Sequence, residues 1–442
     1  METIIRTTSM GSFEGIREDN IQTFKGIPYA ITERFQKPVS IDHYDKLVDC
    51  TKEEQDCYQF NYFRDPQEDF YFQEFTSGKE CTHVESPMTL TITTLENAEK
   101  LPVLIFIHGG GFETGYVGEL PFGGCKEYAK RNVILVSVGY RLNVFSLYEN
   151  GNYGHHDQKC AIDWVYRHIE EFGGDPEKIT LMGQSAGAMS IMNLTYNKET
   201  LGNRVKGIIT MSGGGVMPKM AKPLSKEEAA PFWERVRNRI PATKEEMYTV
   251  PVDKMWNAWY DESRSKDSNP SNVVPGIDGE IIPRLPQDIV KEGADLDVPM
   301  MVGITSQDFM APILHSMAVR YAERNRKMGR SPVYGYFFDH ILPGNRFKAF
   351  HAADLWYMFG NMEHSWRPFE KTDYDLSKQM IDYVANFVKT QNPNGEGLPL
   401  WPKLSARKKE FRHLDGKNNG VISQFASLKK TVHTFVKDKG PM

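Results

Sequence analysis

Short, continuous apolar runs recur along this 442-residue chain. Their lengths are those of strands buried on both faces of a sheet. The runs that predict such central strands are residues 101–107, 133–138, 179–182, 205–211, 298–304 and 333–338. Near the start of the chain, shorter β-type segments separated by turn residues predict a small antiparallel sheet at residues 4–8, 11–16 and 21–27.

Helical periodicity separates several of the central runs. Between residues 157 and 172, apolar side chains recur at steps of three, four and three, starting at Ile162. This spacing predicts an amphipathic helix, and residues 375–390 predict another near the end of the chain. Buried strands that alternate with helices predict an α/β fold with a mostly parallel central sheet flanked by helices.

Two regions do not follow this alternation. Residues 58–80 are rich in aromatic side chains without a helical or strand period, and we predict an aromatic-rich loop near a substrate cleft. The alternative is that these aromatics only pin the loop to the body of the protein. Residues 218–270 are charged and helical, without linker-like flanks, which predicts a helical cap inserted into a single domain over residues 1–442.

Composition excludes several classes of partner. The 53 basic and 58 acidic residues give a net charge of −5, which offers no argument for binding nucleic acid. No apolar run is long enough to span a membrane, and the first residues lack a signal-peptide pattern. Five cysteines at no metal-ligand spacing favour free thiols in a reducing compartment. We therefore expect a cytoplasmic monomer or small homo-oligomer.

The most informative motif is GQSAG at residues 183–187. It lies between a predicted strand and a predicted helix, where a GxSxG sequence forms the nucleophile elbow of α/β-hydrolases. The flanking glycines, Gly183 and Gly187, allow the turn because a Cβ there would clash with the adjoining backbone. For a pentapeptide considered alone, the alternative to the nucleophile elbow is an ordinary turn. In the elbow interpretation, Ser185 is a nucleophile.

An activated serine requires a base and a group that orients the base, and in α/β-hydrolases these follow the serine along the chain. Asp308 lies just past the carboxyl end of the predicted strand at residues 298–304, where a carboxylate could reach a histidine. Two of the histidines that follow the serine, His340 and His351, are the candidates for the base. The residues alone do not separate them.

The donors for a developing oxyanion are easier to assign. The N–H of Ala186 opens the predicted helix, and the N–H groups of Gly110 and Gly111 follow the buried strand at residues 101–107. Beside this glycine run, His108 is expected to hydrogen-bond the loop into place. This chemistry needs no metal or cofactor, and its partner is a small-molecule ester.

Several long motifs, in the same order, resemble the type-B carboxylesterase (carboxylesterase/cholinesterase) family. They are FKGIPYA (24–30), HGGGF (108–112), VSVGYRLNVF (136–145), the block from Gly154 to Ala188, and PGIDGEIIPRLP (275–286). The resemblance covers nearly the whole chain and implies the α/β-hydrolase fold. It also suggests a short, cytoplasmic, bacterial-type member.

The resemblance implies roles that the spacing left open. Asp308 matches the acidic member of the triad, His351 matches the catalytic histidine, and Ser212 matches a serine that supports the acid. The chain departs from the family at Cys57, which lacks the expected partner cysteine, and at Phe309, where the family usually has glycine. Only 43 residues separate His351 from Asp308, whereas larger members have extra helices in this segment. Their absence implies a more open cleft, or one roofed by the aromatic loop and the helices of residues 218–270.

The sequence therefore predicts a serine carboxylesterase with a Ser-His-Asp triad. One alternative is specialisation for aryl or hydroxycinnamoyl esters. Another is a non-catalytic, adhesion-type binding protein of the same fold, against which the presence of all three triad residues argues.

Overall fold

The computed structural model describes residues 1–59, 69–78, 81–216, 218, 222–240, 242–243, 245–344, 347–417 and 420–437. Its strands are β1 (Glu2–Thr8), β2 (Gly11–Glu18), β3 (Ile21–Pro28), β4 (Ala30–Ile31), β5 (Val39–Ser40), β6 (Val48–Asp49), β7 (Asp56–Cys57), β8 (His83–Val84), β9 (Thr89–Leu95), β10 (Leu101–Ile107), β11 (Ile134–Val138), β12 (Gly174–Gln184), β13 (Val205–Met211), β14 (Met300–Thr305), β15 (Val333–Phe338), β16 (Glu410–Leu414) and β17 (Val421–Ser423).

The helices flank these strands. They are α1 (Phe70–Thr76), α2 (Asn143–Leu147), α3 (Tyr153–His168), α4 (Ala186–Thr195), α5 (Lys198–Leu201), α6 (Lys226–Asn238), α7 (Val252–Ser263), α8 (Pro286–Glu292), α9 (Ala311–Met328), α10 (Leu355–Phe359), α11 (Lys371–Thr390) and α12 (Gln424–Lys437). Within the described ranges, none of them is long and apolar enough to cross a membrane.

A single large sheet runs through the molecule in the order β1-β2-β3-β9-β11-β10-β12-β13-β14-β15-β16-β17. The neighbours from β11 to β16 along this order pair in parallel, and the strands at either end pair antiparallel. The predicted α/β fold with a mostly parallel sheet is therefore confirmed. The predicted N-terminal antiparallel sheet is not separate, because β3 pairs with β9 and so extends the main sheet.

The core lies on both faces of the sheet because successive side chains of a strand point to opposite sides. In β10, Val103, Ile105 and Ile107 pack into one buried cluster. Leu104 and Phe106 pack into the other, with helix α11. The continuous apolar sequence of β10 follows from burial on both faces, and it fixes the strand at the centre of the sheet.

The prediction that the aromatic stretch is irregular is wrong for its described second half. Residues 70–76 form helix α1, which begins where the Asp69 side chain accepts a hydrogen bond from the Phe72 N–H at 3.0 Å. The helix shows no amphipathic period because Phe70, Phe72 and Glu74 are all buried. Phe60, Tyr62 and Phe63, which belong to the same predicted loop, lie outside the described residues.

Candidate active site

Ser185 occupies the sharp turn between β12 and α4. Its φ of 53° and ψ of −121° are a strained combination for a residue with a Cβ. A Cβ on Gly183 would lie 2.6 Å from the Gly187 carbonyl, and one on Gly187 would lie 2.0 Å from the Ile107 oxygen. Because only glycine fits at both positions, the GxSxG spacing allows the turn that places Ser185 at the carboxyl end of the strand.

Asp308 and His351 are brought together by two loops at that same edge of the sheet. The Gln307 N–H donates to the Ala349 carbonyl at 2.9 Å, which ties the loop after β14 to the loop before α10. His351 Nδ1 lies 2.6 Å from Asp308 Oδ1, and both side chains are buried. With Nδ1 engaged by the carboxylate, Nε2 is the imidazole nitrogen left for a second partner.

Gln184 contacts this second imidazole nitrogen. The Gln184 amide Nε2 lies 3.2 Å from His351 Nε2, and an amide nitrogen can only donate. His351 Nε2 is therefore the acceptor, so the proton of a neutral imidazole sits on Nδ1 facing Asp308. Ser185 Oγ itself makes no hydrogen bond with the described residues. Gln184 was not among the predicted site residues, although its place beside Ser185 in GQSAG was a signal.

His340, the other candidate base, lies elsewhere. Its Nε2 contacts Asp373 Oδ1 at 2.7 Å, and its Nδ1 contacts the Asp415 carbonyl at 3.0 Å. Burial opposes ionisation, but the Asp373 carboxylate and the Asp415 carbonyl together raise the pKa of His340. With both nitrogens engaged far from the elbow, His340 belongs to a structural pair.

The expected support of the acid by Ser212 does not occur in this structure. The Ser212 hydroxyl is buried, and no described residue hydrogen-bonds to it. The Thr305 hydroxyl instead donates to Asp308 Oδ2 at 3.1 Å, and the Phe309 N–H donates to Oδ1 at 3.0 Å. Thr305 ends the strand three residues before the acid, so a turn brings it back onto the carboxylate in a way the sequence did not reveal.

The glycine loop after β10 leaves backbone donors free. Gly110 and Gly111 have φ values of 107° and 66°, and within the described ranges no acceptor contacts either N–H. A Cβ on Gly110 would lie 2.0 Å from the Thr114 carbonyl oxygen. The Ala186 N–H opens helix α4, where a helix has no internal acceptor. Gly110 and Gly111 line the cleft that contains Ser185, and Ala186 follows Ser185 directly in the chain.

His108 stabilises this loop through its ring and its carbonyl. Its Nδ1–H donates to the Gly109 carbonyl at 2.9 Å, and its ring stacks on Tyr140 with centroids 4.5 Å apart. Burial lowers the pKa of His108 to about 4, so the ring is neutral at physiological pH. The Tyr140 hydroxyl donates to the His108 carbonyl at 2.8 Å, which fixes the start of the glycine run.

The cleft above Ser185 has a volume of about 400 Å³. Aromatic side chains from α1 and from the loop after β14 line it. An ion pair and the candidate catalytic residues also line it. The residues that line it include Tyr71, Phe75, Gly110, Gly111, Glu113, Ser185, Arg264, Phe309 and His351. In the described part of the chain, no three His, Cys, Asp or Glu side chains are arranged to hold a metal ion.

The sequence matches the carboxylesterase family over residues 2–323 and 310–434. It is 31% identical to gut esterase 1 of Caenorhabditis elegans over 315 residues, 68% of this chain and 53% of that protein. It is 26% identical to the para-nitrobenzyl esterase of Bacillus subtilis, with 93% of this chain and 94% of the relative covered.

Solved structures of such esterases share the fold. A para-nitrobenzyl esterase structure superposes with a TM-score of 0.82 at 24% identity, covering 97% of this chain and 99% of that one. A carboxylesterase from Geobacillus stearothermophilus superposes with a TM-score of 0.79 at 22% identity and the same coverage. These likenesses confirm the α/β-hydrolase fold.

Proposed function

This chain belongs to the carboxylesterase family and is a carboxylic ester hydrolase, and we propose that it works through an acyl-serine intermediate formed on Ser185. His351 is the general base and Asp308 orients it. The observation that carries this assignment is the 2.6 Å contact between His351 Nδ1 and Asp308 Oδ1 in the cleft that exposes Ser185. Small-molecule esters are the substrates.

The first half of the reaction transfers the acyl group to the enzyme. The Ser185 hydroxyl takes the place of the Gln184 amide at His351 Nε2 and passes its proton to that nitrogen. As it does so, Oγ bonds to the acyl carbon. The imidazolium then gives the proton to the alcohol oxygen, and the bond between that oxygen and the acyl carbon breaks. The Asp308 carboxylate stabilises the positive imidazolium at each stage.

The second half returns the enzyme to its starting state. A water molecule gives its proton to His351 and bonds to the acyl carbon. The Ser185 Oγ leaves with the same proton, and the carboxylic acid is released. In both halves the carbonyl oxygen becomes negatively charged. The N–H groups of Gly110, Gly111 and Ala186 then donate hydrogen bonds to it. Each such donor is worth about 10²–10³ in rate.

The inserted segment at residues 218–270 is proposed to act as a cap at the mouth of this cleft. Arg264 follows helix α7, lines the cleft, and forms an ion pair with Glu113 beside the glycine loop. Its guanidinium also lies over the Tyr260 ring, 4.8 Å from the centroid. These contacts support a cap that is attached to the glycine loop after β10.

Removal of the nucleophile tests the mechanism. Ser185→Ala is expected to fold normally and to lose about 10⁴-fold or more of the p-nitrophenyl acetate turnover, because no other group can form the acyl-enzyme.

A matched pair of variants tests the assignment of the general base. His351→Ala is expected to lose activity to a comparable degree, whereas His340→Ala, which removes the contacts to Asp373 and the Asp415 carbonyl, is expected to retain it.

Near-wild-type turnover in Ser185→Ala would reject the acyl-serine mechanism. Loss at His340 but not at His351 would reassign the base. A panel of esters with varied acyl and alcohol groups tests the enzymatic assignment itself. If the wild-type protein hydrolysed none of them, the adhesion-type alternative would replace the enzymatic function.

A further inference from the structure

Phe309 is placed unusually with respect to the candidate base. Its ring stacks on the His351 imidazole, with centroids 4.4 Å apart and planes 28° apart. Its backbone N–H donates to Asp308 Oδ1, the same oxygen that contacts His351. The side chain is nevertheless 42% exposed, and it lines the cleft. One ring therefore covers a face of the base and also presents a face or edge to the substrate.

Phe309 continues an aromatic row that begins on helix α1. Its centroid lies 6.0 Å from that of Tyr71, and the Tyr71 centroid lies 5.8 Å from that of Phe75. Tyr71 and Phe75 are four residues apart, so they share one face of the helix. All three side chains line the cleft. We call Tyr71, Phe75 and Phe309 the aromatic wall.

The chemistry of the reaction decides which half of an ester meets this wall. His351 Nε2 must give its proton to the departing alcohol oxygen, which therefore lies within about 3 Å of the imidazole. The acyl carbonyl oxygen points instead to Gly110 and Gly111. The group on the alcohol oxygen is thus the one nearest to the ring that stacks on His351.

We propose that the aromatic wall binds the alcohol half of the ester, and that Phe309 makes the enzyme prefer esters whose alcohol carries a planar aromatic ring. This inference rests on the proposed function and adds the substrate class. A planar ring packs on Phe309 and Tyr71 edge-to-face or offset-stacked, a geometry that a saturated ring of similar size lacks.

Two pairs of esters separate the halves. Benzyl acetate against cyclohexylmethyl acetate varies only the alcohol ring, and methyl benzoate against methyl cyclohexanecarboxylate varies only the acyl ring. Comparing ratios of kcat/KM between variants cancels the intrinsic reactivity of each ester. In Phe309→Leu, the benzyl-to-cyclohexylmethyl ratio is expected to fall about 2- to 10-fold, mainly through KM. The acyl ratio is expected to stay unchanged.

Two further variants control the result. Phe309→Tyr keeps the ring and is expected to retain the wild-type ratio. Phe425→Leu makes the same replacement at an exposed phenylalanine of helix α12, and it is expected to change neither ratio. The melting temperature of each variant shows that the fold is kept, which is expected because Phe309 is partly exposed.

An unchanged alcohol ratio in folded Phe309→Leu, or a fall in the acyl ratio alone, would overturn the inference. Either result leaves the proposed function standing as long as Ser185→Ala is inactive toward all four esters. Turnover by Ser185→Ala would instead remove the mechanism on which the inference depends. The two failures are therefore distinguishable within one set of measurements.

Discussion

Asp308 has two carboxylate oxygens, and the fold gives each its own partners. Oδ1 accepts from His351 Nδ1 and from the Phe309 N–H, and Oδ2 accepts from the Thr305 hydroxyl. An ionised carboxylate is held in place most firmly when both oxygens are engaged. At the scale of single residues, the hydroxyl of Thr305 is therefore a positioning group for the acid.

This role predicts a difference between two conservative substitutions. Thr305→Val keeps the shape of the side chain but leaves Asp308 Oδ2 without its donor, so kcat is expected to fall about tenfold with KM unchanged. Ser212→Ala removes a hydroxyl to which no described residue hydrogen-bonds, and its kcat is expected to stay near the wild-type value. Steady-state kinetics on one ester compare the two. A larger loss in Ser212→Ala would favour the role that the family resemblance implies.

At the scale of secondary-structure elements, a buried ion pair holds helix α1 in place. Arg367 Nε and Nη2 donate to the two Glu74 oxygens at 2.8 Å and 3.1 Å, and both side chains are fully buried. The indole N–H groups of Trp356 and Trp366 donate to the same carboxylate. Glu74 therefore joins the helix that carries Tyr71 and Phe75 to the segment around α10.

Breaking this pair is expected to be costly. Glu74→Gln leaves the Arg367 charge buried without a counter-charge, so the free energy of unfolding is expected to fall by about 3–5 kcal/mol. Urea denaturation measures the change. Lys371→Gln breaks an exposed ion pair with Asp375 and is the control, with no measurable change expected. A Glu74→Gln variant as stable as wild type would show that the pair does not anchor α1.

At the scale of the whole molecule, the carboxyl ends of parallel strands collect the site at one edge of the sheet. The same convergence places a second carboxylate, Asp354, among buried groups beside the proposed triad. Burial raises the pKa of the Asp354 carboxyl to about 6, against the lowering effect of the Tyr336 hydroxyl that donates to it at 2.7 Å. The nearby Asp308 charge adds to the rise.

This raised pKa makes the stability of the protein depend on pH. Since the ordinary pKa is 3.8, the folded state holds the proton more tightly between about pH 4 and pH 6. The contribution of Asp354 to stability is present below this range and is lost as the pH rises through 6. Asp354→Asn is neutral throughout, so its stability relative to wild type is expected to rise by about 2.5 kcal/mol from pH 4 to pH 8. Denaturant titrations at the two pH values measure this, and a constant difference would contradict it.

The sequence by itself determined the central strands and the strand-to-helix turn that carries Ser185, the proposed nucleophile. The apolar runs at β10, β12, β13 and β15 are buried on both faces, so their pattern is strong, and Gly183 and Gly187 are required by close backbone contacts. Helix α1 was missed because its buried residues, Phe70, Phe72, Glu74 and Phe75, do not follow a helical period. The chain order of the resemblance selected Asp308 and His351.

The tertiary structure alone decided which side chains meet. The partner of His351 depends on a contact between two loops 43 positions apart, and the partner of Asp308 Oδ2 depends on a tight turn at Thr305. The stacking of Phe309 on His351, and its exposure to the cleft beside Tyr71, also require the assembled loops. Local patterns record which face of an element is buried. Hydrogen bonds and ring contacts are set by distances between elements, which a pattern along one segment does not contain.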